Sequence, residues 1–350
     1  MNFKKEFKNI LIVRTDRIGD VVLTTPVIKS LREAYPASRI CILINPLTQD
    51  LLKGNPYLDE ILIDDREHQH KGRGFFTLVN TLNQRKFDLA IIFHTKRRTN
   101  LLCFLAGIRR RAGYKNNKFG FLLTDPIKDV RHLGEKHEAQ YCLDVLKHLG
   151  VKAGPLELFV PIQEEAIVWL KEFEQNNGLQ PSDRLVIIHP GASDPSKRWP
   201  EGRFAEIIDS LTKRYAVKII LIGASHIQEV SEKILSLVNS PVIDLTGKTT
   251  VAQMAVLLKR SCLLVSNDSG PVHIASALGC PVVSIFTRNQ PGINPGRWRP
   301  LSPQSRTVAV LPEQNYHFTF KKGGPIGGQY LELISAQTVL EAVDGLCKLC

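Results

Sequence analysis

The sequence predicts an α/β protein made of two doubly wound, Rossmann-like units, and three observations carry that prediction. Short continuous apolar runs, such as those at residues 10–13 and 185–188, have the composition of strands buried on both faces of a parallel sheet. Stretches of helical periodicity separate these runs, as crossover connections require. The alternation starts twice in a chain of 350 residues with 43% hydrophobic side chains, a length that suits two domains.

In the first half, strands are expected at 10–13, 40–44, 60–63 and 89–93, with helical patterns at 21–35, 47–53 and 75–84. Residues 113–134 are irregular and rich in Lys, Asn, Gly and Asp, and 135–149 reads as a helix. After a Gly154-Pro155 turn signal, a polar helix at 163–175 leads into Asn176-Asn177-Gly178, where the linker is placed. The second half has expected strands at 185–188, 217–222, 242–243, 263–265 and 282–286, and helices at 203–214, 227–238 and 251–259. The expected domains are therefore 1–176 and 177–330. A final segment, 331–350, carries a helical pattern at 336–348.

Composition narrows the function classes. The net charge is +12, and residues 1–150 hold 26 Lys and Arg against 16 Asp and Glu, so the excess lies in the first half. Clusters such as Lys96-Arg97-Arg98 and Arg109-Arg110-Arg111 suit nucleic acid, an acidic membrane face or an anionic substrate. Aromatic residues are not interleaved as in single-strand binders, so nucleic acid is not an expected partner. No apolar run approaches about 18 residues, and the N-terminus lacks a secretory pattern. Seven scattered cysteines suit a reducing compartment, and the terminal Cys347/Cys350 pair has no second pair or histidine nearby to make a metal site.

Motifs narrow them further. The dinucleotide fingerprint G-x-G-x-x-G is missing after both opening strands, which argues against a nicotinamide enzyme. Instead the chain has Arg14-Thr15-Asp16-Arg17-Ile18-Gly19-Asp20 after the first strand and His189-Pro190-Gly191-Ala192-Ser193 after the opening strand of the second unit. A third stretch, Asn267-Asp268-Ser269-Gly270-Pro271-Val272-His273, joins a strand to a helix. It reads either as an anion cradle made of helix N-terminal N–H groups or as an ordinary N-cap by Asp268 or Ser269.

Together these three motifs, with Lys197-Arg198-Trp199-Pro200, resemble the family 9 glycosyltransferases, the ADP-heptose:lipopolysaccharide heptosyltransferases, over roughly residues 8 to 300. The resemblance implies a GT-B fold, with two facing Rossmann-like domains, a central cleft and a last helix that crosses back to the first domain. It also implies an inverting, metal-independent transfer from ADP-heptose to the inner core of lipopolysaccharide, with no cofactor. A single displacement at the anomeric carbon needs one base for the acceptor hydroxyl. Asp20 matches the family's base, and Asp16 in the same loop is the reserve.

For the donor, the resemblance points to Ala192, Ser193 and Lys197 near the diphosphate, together with Ser269, Gly270 and His273. It assigns Asp268 to the donor sugar and Lys248 and Thr249 to the adenine loop, while the ribose falls to Glu229, with Gln228 equally close in sequence. Only one of the two positions 192 and 193 keeps a hydroxyl here. On the acceptor side stand Arg17, Lys96, Arg97, Arg98, Arg131, Lys136 and His137, which would meet the phosphates and sugar acids of the core. The expected location is cytoplasmic, peripheral to the anionic inner face of the inner membrane. Where the family has a short Gly-Pro-Thr turn, this chain has a longer Pro/Gly loop at 287–300. Two other readings stay open: a same-fold glycosyltransferase using another nucleotide sugar, and a non-catalytic basic binding protein.

Overall fold

The computed structural model describes residues 7–311 and 332–347. Lys348 to Cys350, and with them one half of the terminal cysteine pair, lie outside the described residues, as do 312–331. Two compact units result, and each is built on its own six-stranded parallel sheet.

In the first unit the strands are β1 (Asn9–Arg14), β2 (Arg39–Ile44), β3 (Glu60–Ile63), β4 (Leu89–Ile92), β5 (Arg110–Lys115) and β6 (Asp125–Lys128), in the order β3-β2-β1-β4-β5-β6. Both faces of the inner strands are buried. Leu11, Val13, Leu43, Ala90 and Ile92 form one core with Leu78 and Leu82 of α3 (Gly74–Gln84) and Leu102 of α4 (Arg97–Leu105). On the opposite face Ile10, Ile12, Ile40 and Ile42 are equally inaccessible. This explains why the central strands read as unbroken apolar runs.

The expected helix at 21–35 is two helices, α1 (Ile18–Val22) and α2 (Thr25–Ala34). Pro26 lacks the N–H needed to continue the first helix, so the chain pauses at Leu23-Thr24 and restarts with Pro26 in the first turn of α2. Beyond them α5 (Glu138–His148) closes the unit. β5, β6 and α4 were not expected. β6 is a short edge strand of mixed polarity, and β5 begins with two arginines that bond to Asp125 and to the Leu122 carbonyl rather than to solvent.

The second unit repeats the plan with β7 (Arg184–His189), β8 (Val217–Leu221), β9 (Val242–Asp244), β10 (Leu263–Asn267), β11 (Val282–Phe286) and the unexpected polar edge strand β12 (Ser305–Ala309). Their order is β12-β11-β10-β7-β8-β9. Its helices are α6 (Glu164–Asn176), α7 (Glu201–Arg214), α8 (Gln228–Leu237), α9 (Val251–Arg260), α10 (Gly270–Leu278), the one-turn α11 (Pro295–Trp298) and α12 (Ala336–Cys347).

Two expectations about domain limits need correction. The main division falls after Pro161, not at 176, with Leu133–Glu135 also counted in the second unit; α6 packs with α9 and Glu174 accepts from Arg260 Nε at 2.8 Å. The last helix, α12, belongs to the second unit: its apolar stripe of Val339, Leu340, Val343 and Leu346 is buried in that unit's core with Phe204, Ile208 and Leu211 of α7. Trp199, fully buried, donates from Nε1 to the Ile334 carbonyl at 2.9 Å and anchors the start of that helix.

Candidate functional site

In each sheet the strand order reverses once, between β1 and β4 in the first unit and between β7 and β10 in the second. Loops leaving the carboxyl ends of such strand pairs diverge, and the crevice between them is where open α/β sheets bind ligands. The three strand-end motifs, after β1, β7 and β10, all fall at these two points.

In the first unit β1 ends in Arg14, whose side chain is 1% exposed. Its Nη2 donates to Asp20 Oδ1 at 2.7 Å and to Glu138 Oε1 at 3.2 Å, and its Nε lies 3.2 Å from Asp16 Oδ1. Asp20 stands in the first turn of α1, Asp16 in the loop before it, and Glu138 in the first turn of α5, so one buried guanidinium gathers three carboxylates. Thr24 holds the turn by donating from Oγ1 to the Asp20 carbonyl at 2.8 Å. The Asp20 side chain remains 17% exposed. Burial pushes its carboxyl up to about 7; Arg14 opposes this, while the like charges of Asp16 and Glu138 add to it. Burial also raises Asp16. Asp20 is therefore a reachable carboxyl poised near neutrality.

Across the order reversal, Thr15 Oγ1 and His94 Nδ1 lie 3.0 Å apart and tie the loops after β1 and β4 together. Burial, helped by Arg14, Lys96, Arg66 and Lys118, drives His94 down to about 3, so this imidazole is neutral at physiological pH. Beside it is a cavity of about 530 Å3 lined by Arg66, His94, Lys96, Arg97, Arg98 and Lys118, with Asn117. Lys96, Arg97 and Arg98 stand at the N-terminus of α4, where cations add to the positive end of the helix dipole instead of offsetting it. Such a concentration of positive charge is suited to an anion.

The expected acceptor residues divide on this geometry. Lys96 and Arg97 are exposed at the cavity, and Arg17 is exposed beside Asp20. Arg98 instead forks onto buried Asp64 at 2.6 and 3.0 Å and donates to the His70 carbonyl, which fastens the loop after β3. Arg131 pairs with Asp129 at 2.8 Å, lies 3.8 Å from Glu138 and stacks 4.1 Å over the Tyr114 ring, linking it to the carboxylate cluster. Lys136 pairs with Asp144 at 2.7 Å. His137 is buried and caps α5, its Nδ1 accepting from Ala139 N at 3.2 Å.

In the second unit the N-terminus of α10 is the focus. Ser269 is its N-cap, yet its hydroxyl makes no cap bond to the helix. The hydroxyl lies 3.1 Å from His189 Nδ1 and 3.0 Å from Ser266 Oγ instead. Asp268 is likewise engaged elsewhere, in an ion pair with Lys197. The first-turn N–H groups of α10 are thus left uncapped by either side chain that the ordinary N-cap reading would use. Burial, with His226 nearby, holds His189 down at about 4, so it is a neutral hydrogen-bonding strut.

The loop carrying Ala192, Ser193 and Lys197 is clamped to the end of β10. Asn267 Nδ2 donates to the Pro190 carbonyl at 2.7 Å, and its Oδ1 accepts from Trp199 N at 3.0 Å. Ala192 is buried and Ser193 exposed. His273 is buried one turn into α10. At the neighbouring strand ends, Gly247 (φ +71°) packs against Ser225, where an added Cβ would meet the backbone Cα at 3.3 Å. This brings the loop with Lys248 and Thr249 beside the loop that leads to Glu229 on α8. Glu229 and Lys248 are exposed, and Lys248 Nζ donates to the Asp244 carbonyl at 2.9 Å. The long loop at 287–300 is folded: Asn294 caps α11, and Arg288 pairs with Asp194 at 3.2 Å.

Several of these residues escape a motif reading. Glu138 and Arg66 stand outside the motifs, while Arg14 and His189 stand inside them without an assigned role. For Arg14 a signal exists, since a charged residue closing an apolar strand must find buried partners. Glu138 and Arg66 are brought in by tertiary folding alone. Among the described residues no group of three or more His, Cys, Asp or Glu could hold a metal ion, and no helix is long and apolar enough to cross a membrane.

Comparison with known proteins assigns the chain to a family. The model of glycosyltransferase family 9 (heptosyltransferase) matches residues 75–325. Lipopolysaccharide heptosyltransferase 3 of Escherichia coli is 28% identical over 347 residues, covering 94% of this chain and 95% of that protein. A solved glycosyl transferase of family 9 from Veillonella parvula is 27% identical with a TM-score of 0.85, covering 99% of both chains. The E. coli ADP-heptose lps heptosyltransferase II superposes with a TM-score of 0.78 at 22% identity, covering 97% of this chain and 99% of that one. The fold is GT-B, and the chain belongs to glycosyltransferase family 9, the heptosyltransferases.

Proposed function

We propose that this glycosyltransferase moves a heptose from ADP-heptose to a sugar of the lipopolysaccharide core, with inversion at the anomeric carbon and Asp20 as the general base. The observation that carries the reading is the placement of Asp20: a partly exposed carboxyl near neutrality, at the order reversal of a parallel sheet, in a heptosyltransferase-family chain. A base matched to the working pH removes the acceptor hydroxyl's proton as the new bond forms. Arg14 and Thr24 fix its orientation.

The leaving diphosphate is the task of the second unit. The N-terminal end of α10, where no side chain caps the Gly270 N–H, and the ammonium of Lys197 would stabilise the charge that develops as the donor bond breaks. Asp268, paired with Lys197, orients that ammonium and accepts from the donor sugar. The adenosine goes to the Gly247 loop, with Glu229 on the ribose hydroxyls. On this reading no metal takes part. The cationic cavity beside His94 receives the acid groups of the acceptor, with Lys96, Arg97 and Arg17 as contacts. The enzyme works at the inner face of the inner membrane without crossing it.

Support for the sugar and acceptor comes from the relatives' own names, lipopolysaccharide heptosyltransferase and ADP-heptose lps heptosyltransferase. The deciding experiment profiles purified protein with ADP-heptose, UDP-sugars and GDP-sugars against core acceptors, with and without EDTA. Transfer from ADP-heptose that survives the chelator is expected. Transfer only from another nucleotide sugar, or none at all, refutes the proposal.

A further inference from the structure

Between residues 89 and 124 the chain holds eight Lys and Arg and no Asp or Glu. The fold gathers much of this segment into one surface of the first unit, made by α4 and the loop that follows β5. Three large apolar side chains project from it: Phe121 is 76% exposed, Phe104 46% and Leu105 41%. They belong to one built feature. Phe119 and Phe121 meet edge to face with centroids 5.7 Å apart, Arg97 lies 5.9 Å over Phe119, and Arg111 lies 5.5 Å over Phe104. Asn100 Nδ2 donates to the Lys118 carbonyl at 2.9 Å, and Arg111 Nε to the Leu122 carbonyl at 2.7 Å, so the loop is stapled to the helix. Phe119 adopts a left-handed backbone (φ 63°), a conformation unfavourable for a bulky residue, at the turn that leaves Phe121 exposed.

We infer that this aromatic-basic ridge is a membrane-docking surface that inserts Phe121 and Phe104 into the headgroup region of an anionic bilayer. An apolar tip flanked by cations, of which Arg98 and Arg110 are paired with acids, Asp64 and Asp125, from outside the segment, matches a surface that is negative outside and apolar just beneath. The exposed Lys115 and Lys118 supply electrostatic attraction, and the rings supply depth. Arg97 and Lys118 also line the cationic cavity, so docking would bring a lipid-anchored acceptor to the mouth of that cavity. This purpose rests on the proposed transfer reaction, but docking itself does not.

The test is co-sedimentation of the full-length protein with phosphatidylcholine vesicles made with or without phosphatidylglycerol, in the absence of donor and acceptor. Binding is expected only to the anionic vesicles and should weaken with salt. Phe121→Ser should reduce it by roughly tenfold. Lys115→Gln with Lys118→Gln should reduce it by roughly twenty-five-fold, at about fivefold per charge. A Phe121→Trp protein should gain fluorescence quenching by brominated lipid over the wild type. Equal binding to neutral vesicles, undiminished binding of Phe121→Ser, or no added quenching in Phe121→Trp would overturn the inference. Since no sugar is transferred in these measurements, a negative result leaves the heptosyl reaction standing, and failed transfer leaves docking standing.

Discussion

Nη2 of Arg14 lies 2.7 Å from Oδ1 of Asp20, and the same buried guanidinium also holds Asp16 and Glu138. Three carboxylates therefore share one fully enclosed cation. Their mutual repulsion and burial outweigh Arg14's attraction at Asp20, which explains how a carboxyl beside an arginine is still raised to about 7.

Asp20→Asn should remove the base while keeping shape and the bond to Arg14. Turnover is expected to fall about a hundred- to ten-thousand-fold. ADP affinity, measured by calorimetry, should hardly change, because the donor residues lie in the other unit. Asp16→Asn is the control and should keep most of the turnover. The reverse ranking would move the base to Asp16.

The pH profile follows from the raised Asp20 carboxyl. A base must be ionised, so kcat/KM should climb as pH rises through about 7. Asp16→Asn deletes a like charge that raises Asp20, so its acid limb should move to lower pH. Stability has the opposite sign. The folded carboxyl titrates above its ordinary value of 3.8, so the fold favours the protonated form. That contribution is complete below about 4 and is lost as pH rises through about 7. Urea midpoints of wild type and Asp20→Asn, compared from pH 4 to 8, should separate accordingly.

Arg14→Met would strand three carboxylates around a vanished cation. Breaking a buried pair by removing one partner typically costs about 3–5 kcal/mol, which urea unfolding would register. Arg14→Lys should recover part of the loss, since an ammonium restores charge but not the two-pronged geometry. In either variant that folds, the acid limb of kcat/KM should move up if the replacement holds Asp20 less well.

Lys197→Met tests the leaving-group half. A charge-assisted bond to phosphate is worth about 1.5–3 kcal/mol, so ADP affinity should drop roughly ten- to a hundredfold. The salt dependence of ADP binding should flatten at the same time. Unchanged affinity would place the diphosphate away from Lys197 and α10.

Much of this architecture is readable along the chain because inner parallel strands must be apolar on both faces. Runs such as Ile10 to Val13 announce themselves, and every inner strand was expected except β5. The misses have a common cause. β6 and β12 are edge strands that need burial on only part of their surface, and β5 opens with arginines whose charge is satisfied by Asp125 and by a carbonyl distant in sequence. α4 was hidden by the three cations at its start, a place where helix energetics favour acids.

By itself the sequence determined the fold class, the family, and the loops in which Asp20, Lys197 and Ser269 stand, since those follow from local pattern and spacing. Only the tertiary structure decided what these residues touch. It set Arg14 among three carboxylates drawn from the loop after β1, from α1 and from α5, turned the Ser269 hydroxyl from its helix toward His189, and committed Arg98 to Asp64. Such outcomes depend on which buried groups find partners, and for Arg14 and Glu138 those partners lie 124 positions apart in the chain.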